Sequence, residues 1–217
     1  MQEMIQTVAI AALPVILAIT LHEAAHGYAA RHFGDPTAWQ EGRITANPLK
    51  HIDPVGTILV PIIILLLSTG GILFGWAKPV PVNFGRLRHP KQDMLWVAAA
   101  GPAANLAMLL FWAMLMKLTV TLPIHFFSVA MARMAEIGIL VNLALMVLNL
   151  FPLPPLDGGR IAVSLLPRDL AWRFAKLERF GFPILLLLLF SGLLSKLLMP
   201  VMSAVMGMIY FIFQFSG

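Results

Sequence analysis

The chain has 217 residues, of which 59% are hydrophobic and 12% charged, against about 25% charged in soluble domains. That balance excludes a soluble globular enzyme, and the formal charge of +5 reads as membrane topology rather than nucleic-acid binding, because basic residues collect in cytoplasmic loops. With no cysteine in the chain, a disulfide or thiolate site is excluded as well.

A polytopic membrane protein of this length has room for about six spans of roughly 20 residues with short connections. The reading is an all-α transmembrane protein of five to six helices, a single domain over 1–217 with its core in 4–166 and supporting helices in 180–215. The first apolar run, Met4 to Ala30, carries Gln2 and Glu3 where a signal peptide has basic residues, so it reads as a retained span closed by Gly34-Asp35-Pro36.

Near the end of that run stands His22-Glu23-Ala24-Ala25-His26. At 3.6 residues per turn the two histidines share one helical face, so both imidazoles reach a single ion. This is the H-E-x-x-H zinc pattern, in which the glutamate takes a proton from water at the metal. On a soluble helix the same residues often mark only a solvated face. Within a membrane span an ionisable side chain costs about 2.5 to 3.5 kcal/mol, which turns the reading towards metal binding. By helical rise, His26 and His22 lie roughly 7 and 13 Å below the surface marked by Arg31.

From Thr37 to Asp53 the chain is polar and rich in turn signals, a loop or short hairpin. Val55 to Leu67 is short for a crossing and is expected to re-enter. In the stretch Trp76 to Asn83 each proline biases its predecessor towards extended backbone, and Pro79 and Pro81 remove N–H groups from one edge only. The other edge, through Val80 and Val82, is free to pair as a strand. A rigid surface linker is the competing reading.

A long span follows from Met94 to Met116, with Gly101-Pro102-Ala103-Ala104-Asn105 near its start. Small residues there admit another helix, and Asn105 can bond across that contact. Thr119 to Glu136 reads as an interfacial helix with an Arg133–Glu136 pair. The span Ile137 to Leu150, holding Asn142 and Asn149, breaks at a proline-rich turn ending in Asp157-Gly158-Gly159. Asp157 is the best third metal ligand, a helix-capping aspartate being the alternative. Two further apolar segments, Phe182 to Leu198 and one from Pro200 to Phe215, carry no motif and read as support.

If Asp157 and His26 share an ion, an even number of crossings separates them. With 55–67 re-entrant, Arg31, Arg43, Lys50, Lys78, Arg86, Arg88, Lys91 and the basic cluster Arg160 to Arg179 fall on one side, and only Lys117, Arg133 and Lys196 fall opposite. The crowded side is then the cytoplasm, with the N-terminus outside and the site towards the cytoplasmic face of the cell membrane.

The HEAAH motif on a first span, the Gly101-to-Asn105 motif, and Asn149 followed eight residues later by Asp157-Gly158 together resemble the site-2 protease family of intramembrane zinc metalloproteases, and they cover most of the chain up to Gly159. The resemblance implies His22, His26 and Asp157 as ligands of one zinc, Glu23 as general base, Asn149 as a polar group near the substrate carbonyl or the metal water, a small membrane-associated β element in the polar segment after the first span, and a single-pass transmembrane protein as substrate. No stretch is long or polar enough for the PDZ or CBS domain many relatives carry, so the chain is similar to the compact branch.

A substrate helix hides its carbonyls in its own hydrogen bonds and must unwind before attack. The Val80 and Val82 edge or the Trp39 to Lys50 hairpin is the candidate substrate contact, by strand addition, with Asn105 a further candidate. The competing readings are a metal transporter or inactive scaffold using the same histidine pair, and a zincin taking Glu136 or Glu178 as its third ligand.

Overall fold

A computed structural model describes residues 2–67, 75–121 and 126–215. Among them every regular element is helical. Four helices are long and apolar enough to cross a membrane, as a lipid-exposed chain requires, since a helix satisfies its own backbone donors and acceptors. The protein is a multi-pass membrane protein.

These four are α1 (Gln2–His32), α4 (Pro90–Thr121), α5 (Phe126–Asn149) and α9 (Leu193–Phe213). Between them lie α2 (Thr37–Gln40), α3 (Val60–Leu67), α6 (Asp157–Leu165), α7 (Arg168–Ala175) and α8 (Glu178–Phe190). Leu109, Trp112 and Ala113 of α4 meet Ala135, Ile139, Leu143, Met146 and Val147 of α5 in the main core, with Ile209 of α9 and Leu17 of α1 against it. Gly138 lets α5 approach, since a Cβ there would fall 2.4 Å from the Trp112 ring.

Several boundaries differ from the sequence expectation. The segment Thr119 to Glu136 is not a separate helix: α4 runs on to Thr121, and 126–136 is the first half of α5. Arg133 and Glu136 are both exposed and form no ion pair among the described residues. The break between the last two helices is at Gly192, whose φ of 72° suits glycine, while Pro200 lies inside α9. Among the described residues the helices long and apolar enough to cross number four, rather than five or six.

The expected re-entrant segment and β element are also not what the described residues show. Residues 54–67 form one continuous helical stretch that opens as a π-turn at Pro54–Leu59, and 68–74 lie outside the described residues. There is no hairpin in Trp39 to Lys50, which holds the end of α2 and a 3₁₀ turn at Pro48–His51. Residues 75–83 are extended as expected, yet pair with no strand among the described residues. The donors of this strap go elsewhere: Trp76 N–H to Gly56 O (3.0 Å), Lys78 N–H to His51 O (2.8 Å) and Asn83 N–H to the fully buried Asp35 carboxylate (2.6 Å). Val80 N–H goes to the Glu23 carboxylate at 2.8 Å, and the two prolines carry no N–H to offer.

Candidate metal centre

α1 carries His22 and His26 on its inward face, both buried against α4. The small residues of the α4 motif make that approach possible. A Cβ on Gly101 would fall 2.4 Å from His26 Nε2 and 2.6 Å from His22 Cε1, so only hydrogen fits between the helices at this depth. Asp157 is the first residue of α6. It reaches the same point because Gly158 and Gly159 sit on the preceding backbone, where added Cβ atoms would lie 2.2 Å from Leu150 O and from Pro154 N.

The imidazoles are oriented from behind. His26 Nδ1 stands 2.7 Å from Val97 O, a carbonyl that only accepts, so this nitrogen carries the proton. His22 Nδ1 stands 2.6 Å from Asn105 Oδ1, while Asn105 Nδ2 donates to Ala18 O (3.1 Å) and to Asn142 Oδ1 (3.0 Å). Asn142 Nδ2 in turn donates to Gly138 O at 2.8 Å. The His22 proton is therefore also on Nδ1, and in the neutral rings both Nε2 atoms present lone pairs.

Those two Nε2 atoms are 3.1 Å apart, and each is 3.3 Å from Asp157 Oδ2, a buried oxygen with no hydrogen-bond partner. Asp157 does not cap its helix. Two ring lone pairs and a carboxylate oxygen converging in this way repel one another unless a cation lies among them. A tetrahedral ion with bonds of about 2.0 Å separates its ligand atoms by about 3.3 Å, so the triangle fits a zinc-sized ion with a fourth position left for another ligand. No other group of three or more metal-ligating side chains occurs among the described residues.

Curated relatives similar to this chain in sequence carry the names "Putative zinc metalloprotease YwhC" (Bacillus subtilis strain 168) and "Putative zinc metalloprotease Rip2" (Mycolicibacterium smegmatis). The first is 38% identical over 88% of this chain and 85% of its own length. The chain belongs to the site-2 protease family. Rip2 is 33% identical over 93% of this chain and 72% of its own length, and a second Rip2, from Mycobacterium tuberculosis H37Rv, is 29% identical over the same share. No family model and no solved structure matches.

The remaining candidates fall into two groups. Glu23, half-buried beside His22, accepts a hydrogen bond from Val80 N–H at 2.8 Å, so the strap lies against the site. Val80 is buried, and Val82 packs on the small cluster of Ala30, Leu87 and Val97. Asn105 is fully buried with its amide spent on His22, Ala18 and Asn142, which places it behind a ligand rather than on a substrate-facing surface. Asn149 is half-buried and donates to Leu145 O at 3.0 Å.

Asp35 and Arg43, which tie the strap to α1 and to the following loop, were not singled out as site residues by sequence. Neither stands in a spacing pattern. The only signal was a charged residue inside a short turn-rich segment, and that pattern ordinarily marks a solvated loop.

Proposed function

We propose that this protein is an intramembrane zinc metalloprotease, hydrolysing peptide bonds within or near the transmembrane helix of single-pass membrane proteins. The observation that carries this reading is the buried triangle of His22 Nε2, His26 Nε2 and Asp157 Oδ2 inside a bundle of membrane-length helices. Family membership and the relatives' names support it. When bound by these three residues, zinc supplies Lewis acidity, acidifying water and polarising a carbonyl.

The chain's own residues account for the rest. Asn105 and Val97 O hold the two rings in the tautomer that presents Nε2. In this reading Glu23 takes the proton of the attacking water on a carboxylate oxygen and returns it to the departing amide nitrogen. In an extended strap the N–H groups of Val80 and Val82 share one edge, and the Val80 N–H points at Glu23, so this edge passes the site. An unwound substrate segment pairs there, its backbone bonds replacing those lost on unwinding. Asn149 serves the substrate carbonyl by turning its amide away from Leu145 O.

The test is cleavage of a single-span membrane protein by the purified full chain in proteoliposomes. Cleavage stops with a zinc chelator and returns with added zinc, and Val82→Pro, which removes an N–H from the pairing edge, slows it at least about tenfold with zinc content unchanged. A protein that holds zinc but cleaves no such substrate is a transporter or scaffold. Equal rates for Val82→Pro sink the pairing edge alone.

We further propose that the N-terminus is outside and the metal centre faces the cytoplasm. Among the described residues only α4 and α5 are candidate crossings between His26 and Asp157, which is the even number a shared ion requires. The C-terminal end of α9 lies beside α4's far end, where Lys117 Nζ donates to Gln214 O at 3.2 Å, and Leu194 packs on Leu153 near Asp157. Lys196 therefore joins the basic side rather than opposing it, and the charge bias strengthens. Because the chain has no cysteine, single cysteines placed at positions 50 and 117 report the topology directly. Impermeant thiol reagents on whole cells label 117 and spare 50; the reverse pattern overturns the orientation.

A further inference from the structure

Arg43 is 6% exposed, yet no carboxylate lies in salt-bridge range of it among the described residues, and its Nε atom is buried without a partner. Buried guanidinium groups are ordinarily paired with an anion, so what this one holds is informative. Its Nη2 donates to Lys78 O at 3.0 Å and to Pro79 O at 3.2 Å. The C=O of Pro79 and the N–H of Val80 are the two ends of a single peptide group. Val80 N–H is the donor that Glu23 Oε2 accepts, at 2.8 Å.

One peptide plane thus has a guanidinium at its carbonyl end and a carboxylate at its amide end. Both charges lie in the favourable sense of the peptide's own dipole of about 3.5 D. In a half-buried setting each bond polarises the next, so the two side chains are linked although they do not touch. A second feature brings all three parts together. Gly27, one turn after Glu23, would carry a Cβ 2.8 Å from Ile44 Cγ1 and 3.2 Å from Val80 Cγ1, so the neighbour of Arg43 and the strap both press on α1 at this turn.

We infer that Arg43 is a positioning residue for Glu23, acting through the Pro79–Val80 peptide. Its fork on consecutive carbonyls fixes the plane of that peptide, and the plane fixes where the Glu23 carboxylate rests and how much negative charge it carries on Oε2. The inference rests on Glu23 being the general base. It adds a cationic residue from the loop before α3 to the machinery that controls the base.

The experiment is a double-mutant cycle on thermal stability in the zinc-loaded full chain, with Arg43→Gln, Glu23→Gln and both, alongside kinetics on the single-span substrate. If the peptide links the two residues, the double variant melts within about 2 °C of the less stable single variant instead of showing the sum of both shifts. Arg43→Gln lowers kcat at least about tenfold with KM within about twofold, and Arg43→Lys, which keeps a charge and a donor, recovers most of the loss. Additive melting shifts, or a rise in KM at unchanged kcat, overturn the inference. If Arg43→Gln does not fold, the cycle run with Arg43→Met, which keeps the apolar stem and removes the donors, decides it by the same additivity criterion. A wild-type chain that cleaves nothing while the cycle stays non-additive would remove the protease reading and leave the linkage standing; an additive cycle in an active protease would do the opposite.

Discussion

Asp157→Ala is expected to cost the protein its zinc and its activity together. The three ligand atoms form a nearly equilateral triangle, with sides of 3.1, 3.3 and 3.3 Å, and the carboxylate supplies the only formal negative charge among them. Without it two neutral imidazoles remain, and their lone pairs face each other at 3.1 Å. One ring then takes a proton instead of a metal, because only a cation relieves that contact. Losing a group that merely orients a ligand weakens metal binding by roughly 10- to 100-fold, and losing a ligand exceeds that. Elemental analysis of the purified variant should show a small fraction of the wild-type zinc. Full occupancy would mean that the third ligand is another residue. Asp157→Asn is the useful companion, since it keeps the side-chain volume beside Gly158 and Gly159 while removing the charge.

Glu23→Gln is expected to separate binding from chemistry. Glu23 is outside the ligand triangle, so the variant should retain one zinc per chain. Its amide no longer takes a proton from water, and cleavage should fall by about 10²- to 10⁴-fold, the range a positioned general base supplies. Metal content and rate measured on one preparation settle the point. A variant that keeps more than about a tenth of the wild-type kcat would assign proton transfer elsewhere. The Glu23→Gln amide also changes the contact with Val80, because its carbonyl oxygen still accepts the N–H but without a full negative charge. A small loss of stability with unchanged zinc is therefore the expected accompaniment.

The residues that chemistry needs at regular spacing were readable without a structure. His22 and His26 share a face because a helix repeats every 3.6 residues, and their presence in an apolar span is costly without an ion. The broken helix before Asp157 was visible as prolines and glycines in a stretch otherwise apolar enough to cross. The close approach of α4 was visible as small residues at Gly101 to Ala104.

Other features were misjudged for local reasons. Arg133 and Glu136 lowered the apparent hydropathy of 126–136, which hid the first half of α5, although both side chains simply lie exposed on a helix that the apolar remainder stabilises. Pro200 suggested a helix end, but the preceding residues already continued from Gly192, where the left-handed backbone makes the true break. The pairing edge at Val80 was read from proline parity, which is correct about where donors remain and silent about who takes them. A carboxylate from α1 and another from the α1–α2 turn take two of them.

The sequence by itself determined the membrane class and the family, and it singled out the His22–His26 pair and Asp157 as candidate ligands, because each depends on residue type at short or motif-bounded spacing. Only the tertiary structure decided that Asn105 stands behind His22 and not before a substrate, that Asp35 and Arg43 fasten the strap, and that the Val80 amide rests on Glu23. Those contacts join residues 35 to 83 positions apart in the chain, and hydrogen bonds of such range leave no periodic trace. They exist only where packing around Gly27 and Gly101 brings the backbones close enough for them to form.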